Sequence, residues 1–277
     1  MPIDRLATNT SYTNTAVTKN CTMGTLSMTQ WVQQFRQWGV ARLLARTNHV
    51  IHRQPVQLRS LSPSKILVFA PHNDDETIAA AGTLAKAQSL GCTTRIIFVT
   101  GVPQAPDDTL EQTRMAEAQA ACTLLGCDYD GWGFTDGNVI GQQAELIREM
   151  ALEIESFRPD IIFAPFPTDM HRDHQATSLS LAAALQQTKT DATLEIWGYE
   201  IWSTLWPNAA VDITDVVAQK RDAIRLYESQ IHSVPYEEAA IGLNRYRGLK
   251  VGVDYAEAFY VCPPQQFITL AEQMHQL

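Results

Sequence analysis

Three consecutive acids lie shortly after an apolar run of the chain. Asp74, Asp75 and Glu76 follow residues 66–70, with His72 between the run and the acids. Carboxylates this close repel one another, and burying them is costly unless a cation or a proton neutralises their charge. His72 and Asp75 are three residues apart, so both can bind one metal ion from the same face of a helical turn. Asp74 would project differently and lie beside the metal without binding it.

A second group of titratable residues lies at 169–174, where the sequence reads Asp-Met-His-Arg-Asp-His. It follows another mostly apolar run, 160–164. His171 and His174 are again three residues apart, and one of these imidazoles would complete a set of His, Asp and His. Zinc is commonly held by such donors with one position left for water, although ferrous iron accepts the same donors. The simpler interpretation is that acids favour a helix N-terminus, but two such groups at strand ends favour a metal site.

These two groups must be brought together by the elements that precede them. Short apolar runs alternate along the chain with stretches of helical period. The predicted strands are 66–70, 93–100, 129–132, 160–164, 194–199 and 211–213, and the predicted helices are 77–90, 109–125, 142–157, 172–187 and 215–227. Alternation with short connections predicts a Rossmann-like α/β fold, a mostly parallel sheet with helices on both faces. Such sheets place their sites at the carboxyl ends of strands, where both groups lie.

The charge of the chain is distributed unevenly. The formal net charge is −9, yet residues 1–73 contain eight basic residues and one acid, whereas residues 74–277 contain 13 basic and 29 acidic residues. An acidic body disfavours nucleic-acid binding, since phosphate contacts need clustered Lys and Arg. No apolar run reaches the roughly 18 residues of a transmembrane segment. The five cysteines form no CxxC pair and indicate reduced thiols, so we expect a cytoplasmic protein.

The basic front segment is predicted to be an addition to the main domain. We divide the chain into an N-terminal basic extension at 1–63 and one domain at 64–277. Within the extension, Trp31, Phe35 and Trp38 recur at helical spacing and predict one helix. Its aromatic face is expected to pack on the acidic domain or on that of a neighbouring subunit. A homo-oligomer is therefore compatible with the sequence.

Both titratable groups resemble the motifs of the PIG-L/LmbE-type zinc-dependent N-deacetylases. The first motif of that family reads Pro-His-Pro-Asp-Asp-Glu, and residues 71–76 read Pro-His-Asn-Asp-Asp-Glu. The second motif reads His-x-Asp-His, and residues 171–174 read His-Arg-Asp-His. Asn73 and Arg172 stand where proline is common, and neither is a ligand position. Supporting similarity occurs at 114–117, 199–202, 220–230 and 256–259, so that the resemblance covers about 65–262.

The resemblance implies roles for six residues of the two motifs. They are the zinc ligands His72, Asp75 and His174, the general base Asp74, and His171 as oxyanion stabiliser or acid with Asp173 orienting it. It also points to Arg114 as a substrate contact, although pairing with a neighbouring Glu on the helix surface explains this residue equally well. Sugars stack on aromatic rings, so Tyr199 and Trp202 are predicted to form a substrate wall. A buried strand and its exit loop explain the same two residues.

These roles imply a metal-dependent hydrolase, with Zn²⁺ or alternatively Fe²⁺, that removes the N-acetyl group from a small N-acetylated amino sugar or its glycoside. An N-acetylglucosaminyl compound is the expected type. Metal-bound water would attack the amide, Asp74 would take the proton, and the sequence leaves open whether Asp74 or His171 protonates the leaving amine. A metal-dependent phosphoesterase is one alternative, although two-metal sites usually need more acidic ligands. A non-catalytic sugar- or nucleotide-binding module is another, but no GxGxxG or P-loop pattern follows residues 66–70.

Overall fold

The mostly parallel sheet predicted from the sequence is present in the computed structural model, which describes residues 56–105, 107–232 and 234–275. These residues belong to one compact unit, Ala45–Leu277. The predicted helix of the basic extension and the docking of its aromatic face lie outside the described residues. Both therefore stay predictions, as do the boundary at residue 63 and the oligomeric state.

Eight strands and eight helices make up the described part of the chain. The strands are β1 (Gln57–Leu58), β2 (Lys65–Ala70), β3 (Thr93–Phe98), β4 (Asp128–Gly131), β5 (Ile161–Pro165), β6 (Glu195–Tyr199), β7 (Ala209–Asp212) and β8 (Ala256–Cys262). The helices are α1 (Asp75–Ser89), α2 (Thr109–Leu125), α3 (Gln143–Phe157), α4 (Arg172–Gln187), α5 (Val217–Arg225), α6 (Glu228–Ile231), α7 (Tyr236–Val251) and α8 (Pro264–His275). A 3₁₀ turn, Val139–Gln142, precedes α3. None of the described helices combines the length and apolar character needed to cross a membrane.

The sheet has the strand order β1-β7-β8-β6-β5-β2-β3-β4. Strand β8 runs antiparallel to β6 and β7, and the other neighbouring strands are parallel. This arrangement confirms the predicted fold class. Strand β2 pairs with β5, with Ile66 opposite Ile161 and Val68 opposite Phe163. The carboxyl ends of these two strands are therefore neighbours, and the loops that follow them carry the two motifs.

Strand β2 is buried along almost its whole length because helices cover both faces of the sheet. Ile66 and Val68 belong to the core on one face, and Leu67 and Phe69 belong to the core on the other. This explains why the strand is a continuous apolar run rather than an alternating one. Helix α3 lies on the surface and buries only Leu146, Met150 and Ile154, which recur every four residues.

Helix α1, which begins with the first motif, is anchored by a buried ion pair. Glu257 on β8 accepts hydrogen bonds from the backbone of Gly82 and Thr83 on α1, at 2.9 and 2.7 Å. Lys220 on α5 donates to the same carboxylate at 2.6 Å and to the carbonyl of Ile78 at 2.8 Å. Both charged side chains are fully buried. Because each donor and acceptor has a partner, the pair joins α1, α5 and β8 at a defined position.

Candidate active site

The first motif forms the turn between β2 and α1, and Asp74 has an unusual backbone there. Its φ is 131° and its ψ is −27°, a conformation that non-glycine residues rarely adopt. The carbonyl of Asp74 accepts from the backbone of Thr77 and Ile78, both at 3.0 Å, and so begins the helix. The side chain makes no capping hydrogen bond and lines an open cleft of about 590 Å³. Strain of this kind is concentrated at functional sites.

Three side chains of the two motifs place one donor atom each at the corners of a triangle. His72 Nδ1 lies 3.2 Å from Asp75 Oδ2, which lies 3.2 Å from His174 Nε2. The two ring nitrogens are 3.3 Å apart. Tetrahedral ligands that are about 2.0–2.1 Å from one zinc ion lie about 3.3–3.4 Å from each other. The described donor set therefore fits a divalent metal ion of this size and ligand type.

The charges of this triangle stabilise one another in the metal-free protein. Burial alone would lower the pKa of His174, but the charges of Asp75 and Asp169 raise it to about 9. Burial opposes charge on Asp75 as well, yet the charges and hydrogen bonds of His174 and His72 hold the pKa of its carboxyl well below the usual range. The carboxylates of Asp136, Asp173 and Asp75 likewise raise the pKa of His72 against the effect of burial, so these contacts favour protons on the histidines beside a charged Asp75. A metal ion would replace these protons.

The carboxylate of Asp173 contacts His72. Its Oδ2 lies 3.3 Å from His72 Nε2 and accepts from the backbone of Gly137 at 2.7 Å, while Oδ1 accepts from Val139 at 3.2 Å. The resemblance implied that this carboxylate orients His171. The carboxylate instead contacts the ring nitrogen of His72 that points away from the triangle. Carboxylates in this position fix the orientation of metal-binding histidines.

The surroundings of His171 favour its neutral form. Its Nδ1 accepts a hydrogen bond from the backbone N–H of Asp173 at 3.3 Å, which leaves the proton on Nε2. Burial, together with the nearby charges of His72 and His174, lowers the pKa of His171. The expected rise in that pKa from the Asp173 charge is outweighed by these contributions. His171 lines the cleft and can present an N–H donor to it.

A second carboxylate, Asp169, holds the loops around the second motif. Its Oδ1 accepts from the backbone of His171 at 2.9 Å, and its Oδ2 accepts from the backbone of Trp202 at 3.1 Å. His174 Nδ1 lies 3.4 Å from Oδ1, a distance that permits charge attraction without a well-formed hydrogen bond. Asp169 therefore links the motif loop to the loop that carries Trp202.

The three residues predicted to contact the substrate differ in whether they face the cleft. Trp202 is half exposed on the cleft wall, with its ring stacked 6.4 Å from that of His171. Arg114 also lines the cleft; its Nη1 pairs with Glu111 at 3.0 Å, and its buried Nε has no acceptor among the described residues. Tyr199 is buried in the core, and its hydroxyl donates to the Phe69 carbonyl at 2.7 Å. We therefore withdraw Tyr199 as a substrate contact, because it has no surface facing the cleft.

Several cleft residues were not found from the sequence. Asp136 lies 3.4 Å from His72 Nε2 and 4.0 Å from Arg114, at the loop after β4. Its position after a predicted strand is the signal that could have identified it. Tyr236 packs edge-on against Trp202 at 6.1 Å, but it begins a helix that the sequence analysis did not predict.

Asn73, which replaces the common proline of the first motif, also has a structural role. Its side chain donates to the carbonyl of Gly101 at 3.2 Å, and its own carbonyl accepts from Gln230. Gly101 has a φ of +76°, and a Cβ there would lie 2.7 Å from Asn73 Oδ1. This side of the cleft is therefore held by contacts between the loops that follow β2 and β3.

Other combinations of these residues also bring ligand atoms close together. The described residues contain two further groups whose atoms lie within 4.8 Å of one another: His72 with His171 and His174, and His72 with Asp136 and Asp173. In the first group, His171 Nδ1 already accepts a hydrogen bond from the backbone. In the second group, the carboxylates face Nε2 of His72, whereas the triangle with Asp75 uses Nδ1 of the same ring.

Comparison with known proteins agrees with the two motifs. The sequence model of the PIG-L family, described as GlcNAc-PI de-N-acetylase, matches residues 67–185, which contain both motifs. The segment that carries both motifs is therefore similar to the PIG-L family. It is 26% identical over 223 residues to the diacetylchitobiose deacetylase of Thermococcus kodakarensis, covering 72% of this chain and 83% of that protein.

Two solved structures of similar fold extend this similarity. The conserved protein TT1542 from Thermus thermophilus has a TM-score of 0.63 and 29% identity, over 72% of this chain and 94% of that one. The N,N'-diacetylchitobiose deacetylase from Pyrococcus horikoshii, solved with an inhibitor, has a TM-score of 0.61 and 25% identity. The match covers 73% of this chain and 85% of that one. The PIG-L fold therefore accounts for most of the described domain.

Proposed function

We propose that the protein is a metal-dependent N-deacetylase that acts on an N-acetylated amino sugar or its glycoside. The observation that carries this proposal is the triangle of His72, Asp75 and His174 with Asp74 and His171 beside it in the same cleft. The names of the relatives support deacetylation as the reaction and a sugar as the substrate.

His72, Asp75 and His174 would hold the metal ion. Their nitrogen and oxygen donors suit zinc, and ferrous iron accepts the same set. A divalent cation bound there supplies Lewis-acid chemistry, since it polarises the acetyl carbonyl and makes water more acidic. Asp173 keeps the His72 ring in the orientation that this requires, through the 3.3 Å contact at Nε2.

Asp74 is proposed to act as the general base and then as the acid. Burial and the charges of Asp75 and Glu76 raise the pKa of its carboxyl well above the usual range. A carboxylate with a raised pKa accepts the proton of the attacking water more readily. After the tetrahedral intermediate forms, the same group returns that proton to the leaving amine. We propose Asp74 for the step that the sequence left open, because a neutral His171 would have no extra proton to give.

His171 is proposed to stabilise the oxyanion with its Nε2 proton. A neutral imidazole donates one hydrogen bond without changing its charge, and its backbone partner keeps the ring fixed before substrate arrives. Trp202 and Tyr236 form an aromatic wall on which a sugar ring can stack. Arg114 has a buried N–H available for the substrate or for acetate.

Charge argues against the phosphoesterase alternative. Among the described residues that line the cleft, Arg114 is the only Lys or Arg, whereas Asp74, Asp75 and Asp136 are acids. A phosphate group carries negative charge and would be repelled by such a lining. An acetamido sugar is uncharged and avoids this repulsion.

The test is acetate release by the zinc-loaded full chain from N,N'-diacetylchitobiose and N-acetylglucosaminides, with an aryl phosphate as the comparison substrate. We expect acetate and no phosphate, and about one zinc ion per chain. His72→Ala and His174→Ala should lose the metal and the activity, whereas His232→Ala, a change of the same kind at an exposed histidine, should keep both. Asp74→Asn should keep the metal and lose acetate release. Protein without stoichiometric metal, or with phosphate release alone, would refute the proposal.

A further inference from the structure

An apolar groove adjoins the catalytic cleft and continues along α7. Its volume is about 310 Å³, and four residues line both the groove and the cleft: Ile78, Ile201, Trp202 and Tyr236. Most of the other lining residues are alanine, valine or leucine, including Ala239 and Leu243 on α7. The cleft and the groove are thus one continuous surface with a polar end at the two motifs and an apolar end at α7.

The groove presents no unpaired charge from the residues described. Glu200 is the only charged residue of its described lining, and the Arg247 guanidinium donates to it through Nε at 2.8 Å and through Nη2. Arg247 also donates to the carbonyl of Leu205 at 2.9 Å, and the pair is buried. Since its charge is already neutralised, the groove favours an apolar, uncharged occupant over an ionic one.

The groove opens beside Asp74 of the first motif. The backbone of Ile78 donates to the carbonyl of Asp74 at 3.0 Å, so Ile78 lies one helical turn after Asp74. Both residues line the cleft and Ile78 also lines the groove, so a sugar whose acetamido group lies beside Asp74 is close to the groove entrance. A substituent carried by the sugar would then pass Ile78 and Trp202 and enter the groove.

We propose that this groove binds an apolar aglycone, so that the substrate of this enzyme is an N-acetylated amino-sugar glycoside with an uncharged hydrophobic aglycone. The inference rests on the proposed deacetylase function and names the substrate class of that same site. The acetamido group occupies the cleft, the sugar ring lies against Trp202 and Tyr236, and the aglycone lies along α7.

Hexyl and methyl N-acetyl-β-D-glucosaminide, compared as substrates of the zinc-loaded full chain, test this directly. Each methylene that becomes buried favours binding about fourfold, so two or three buried methylenes predict a kcat/KM about 15–60 times higher for the hexyl compound. Leu243→Gln and the second groove variant Ala239→Glu should reduce this ratio to about threefold or less. Leu249→Gln is the matched control, because Leu249 lies on the same helix, is 75% exposed and does not line the groove. It should leave the ratio unchanged.

Two further measurements separate the possible failures. Hexyl β-D-glucoside has no acetamide, and calorimetry should show that it binds the wild type at least tenfold more tightly than it binds the Leu243→Gln protein. If the methyl glycoside is deacetylated but the hexyl ratio is near one, the groove inference falls and the proposed function stands. If neither glycoside releases acetate but Leu243→Gln weakens hexyl glucoside binding, the deacetylase proposal falls and the groove remains an apolar glycoside site. A Leu243-dependent preference for N-hexanoyl over N-acetyl methyl glucosaminide would overturn the aglycone assignment in favour of the acyl chain.

Discussion

Replacing Asp74 is expected to raise the stability of the metal-free protein while abolishing its activity. Asp74 is 6% exposed, stands next to Asp75 and Glu76, and receives no hydrogen bond on its carboxylate from any described residue. Its φ of 131° adds backbone strain. The folded protein therefore holds a desolvated carboxyl in an unfavourable conformation, and catalysis is the only role we find for it.

The size of the effect follows from these two contributions. Asp74→Asn removes the charge and keeps the backbone, so it should gain about 1 kcal/mol, the lower end of the cost of an unpaired buried polar group. Asp74→Gly also removes the strain, about 1–3 kcal/mol, and loses about 0.5–1 kcal/mol to the greater flexibility of glycine in the unfolded chain. We expect the glycine variant to be about 1–3 kcal/mol more stable than the wild type. In a chain of this size that is a rise in Tm of about 2–12 °C.

Thermal and urea unfolding of the metal-free proteins in chelator measures both gains. Asp136→Asn is the matched control, since Asp136 lies in the same cleft but is 54% exposed, lies 3.4 Å from His72 Nε2 and has ordinary φ. It should not be stabilising. The stability gained by Asp74→Asn should become smaller as the pH falls toward 4. Because the pKa of Asp74 is raised in the folded protein, folded Asp74 keeps its proton at pH values where the unfolded chain has lost it. The wild type therefore loses stability as the pH rises. Lower stability of both Asp74 variants at neutral pH would refute the reasoning.

Three further changes test other parts of the structure. Asp173→Asn should weaken zinc binding about 10–100-fold, because the carboxylate holds the ring of His72. If a metal titration showed unchanged affinity while turnover fell, Asp173 would instead have the role of orienting His171. Lys220→Met should destabilise the protein by about 3–5 kcal/mol in urea unfolding, since it leaves Glu257 charged and buried, and Lys220→Met with Glu257→Gln should recover part of that loss. Arg158→Gly should raise stability by about 0.5–1 kcal/mol, because Arg158 ends α3 with a φ of 51° that glycine adopts freely; an unchanged denaturation midpoint would contradict this.

Helix α7 is among the elements that sequence reasoning missed, and its burial pattern explains why. Helix α7 turns Ala240, Ile241, Asn244, Arg247 and Gly248 inward, a helical spacing in which Ile241 is the one large apolar side chain. Arg247 is tolerated there only because Glu200 neutralises it from another loop. Hydrophobic periodicity cannot reveal such a face, since the partner that makes burial acceptable is distant in sequence.

The roles of the site residues could also be predicted only in part from the sequence. The sequence was enough to predict the two motifs and the types of donor atom that they offer, because both are local patterns of residues. It was also enough to predict that the motifs lie close together, because parallel strands of one sheet end at the same edge. Which atoms meet could not be read, since that depends on side-chain directions across the sheet. Asp173 follows His171 by two residues, yet its carboxylate contacts His72, about a hundred positions earlier.

The sequence also could not distinguish the positions of Tyr199 and Trp202. Three residues apart in one aromatic segment, they appeared equivalent in sequence, but the former ends a buried strand and the latter lies on an open loop. The sequence by itself determined the chemistry that is available at this site: two imidazoles, adjacent carboxylates and a parallel sheet to gather them. Tertiary structure decided which carboxylate supports which histidine, which aromatic ring faces the cleft and where an apolar groove continues it. Those outcomes are set by contacts between loops far apart in the chain, which no local pattern of residues contains.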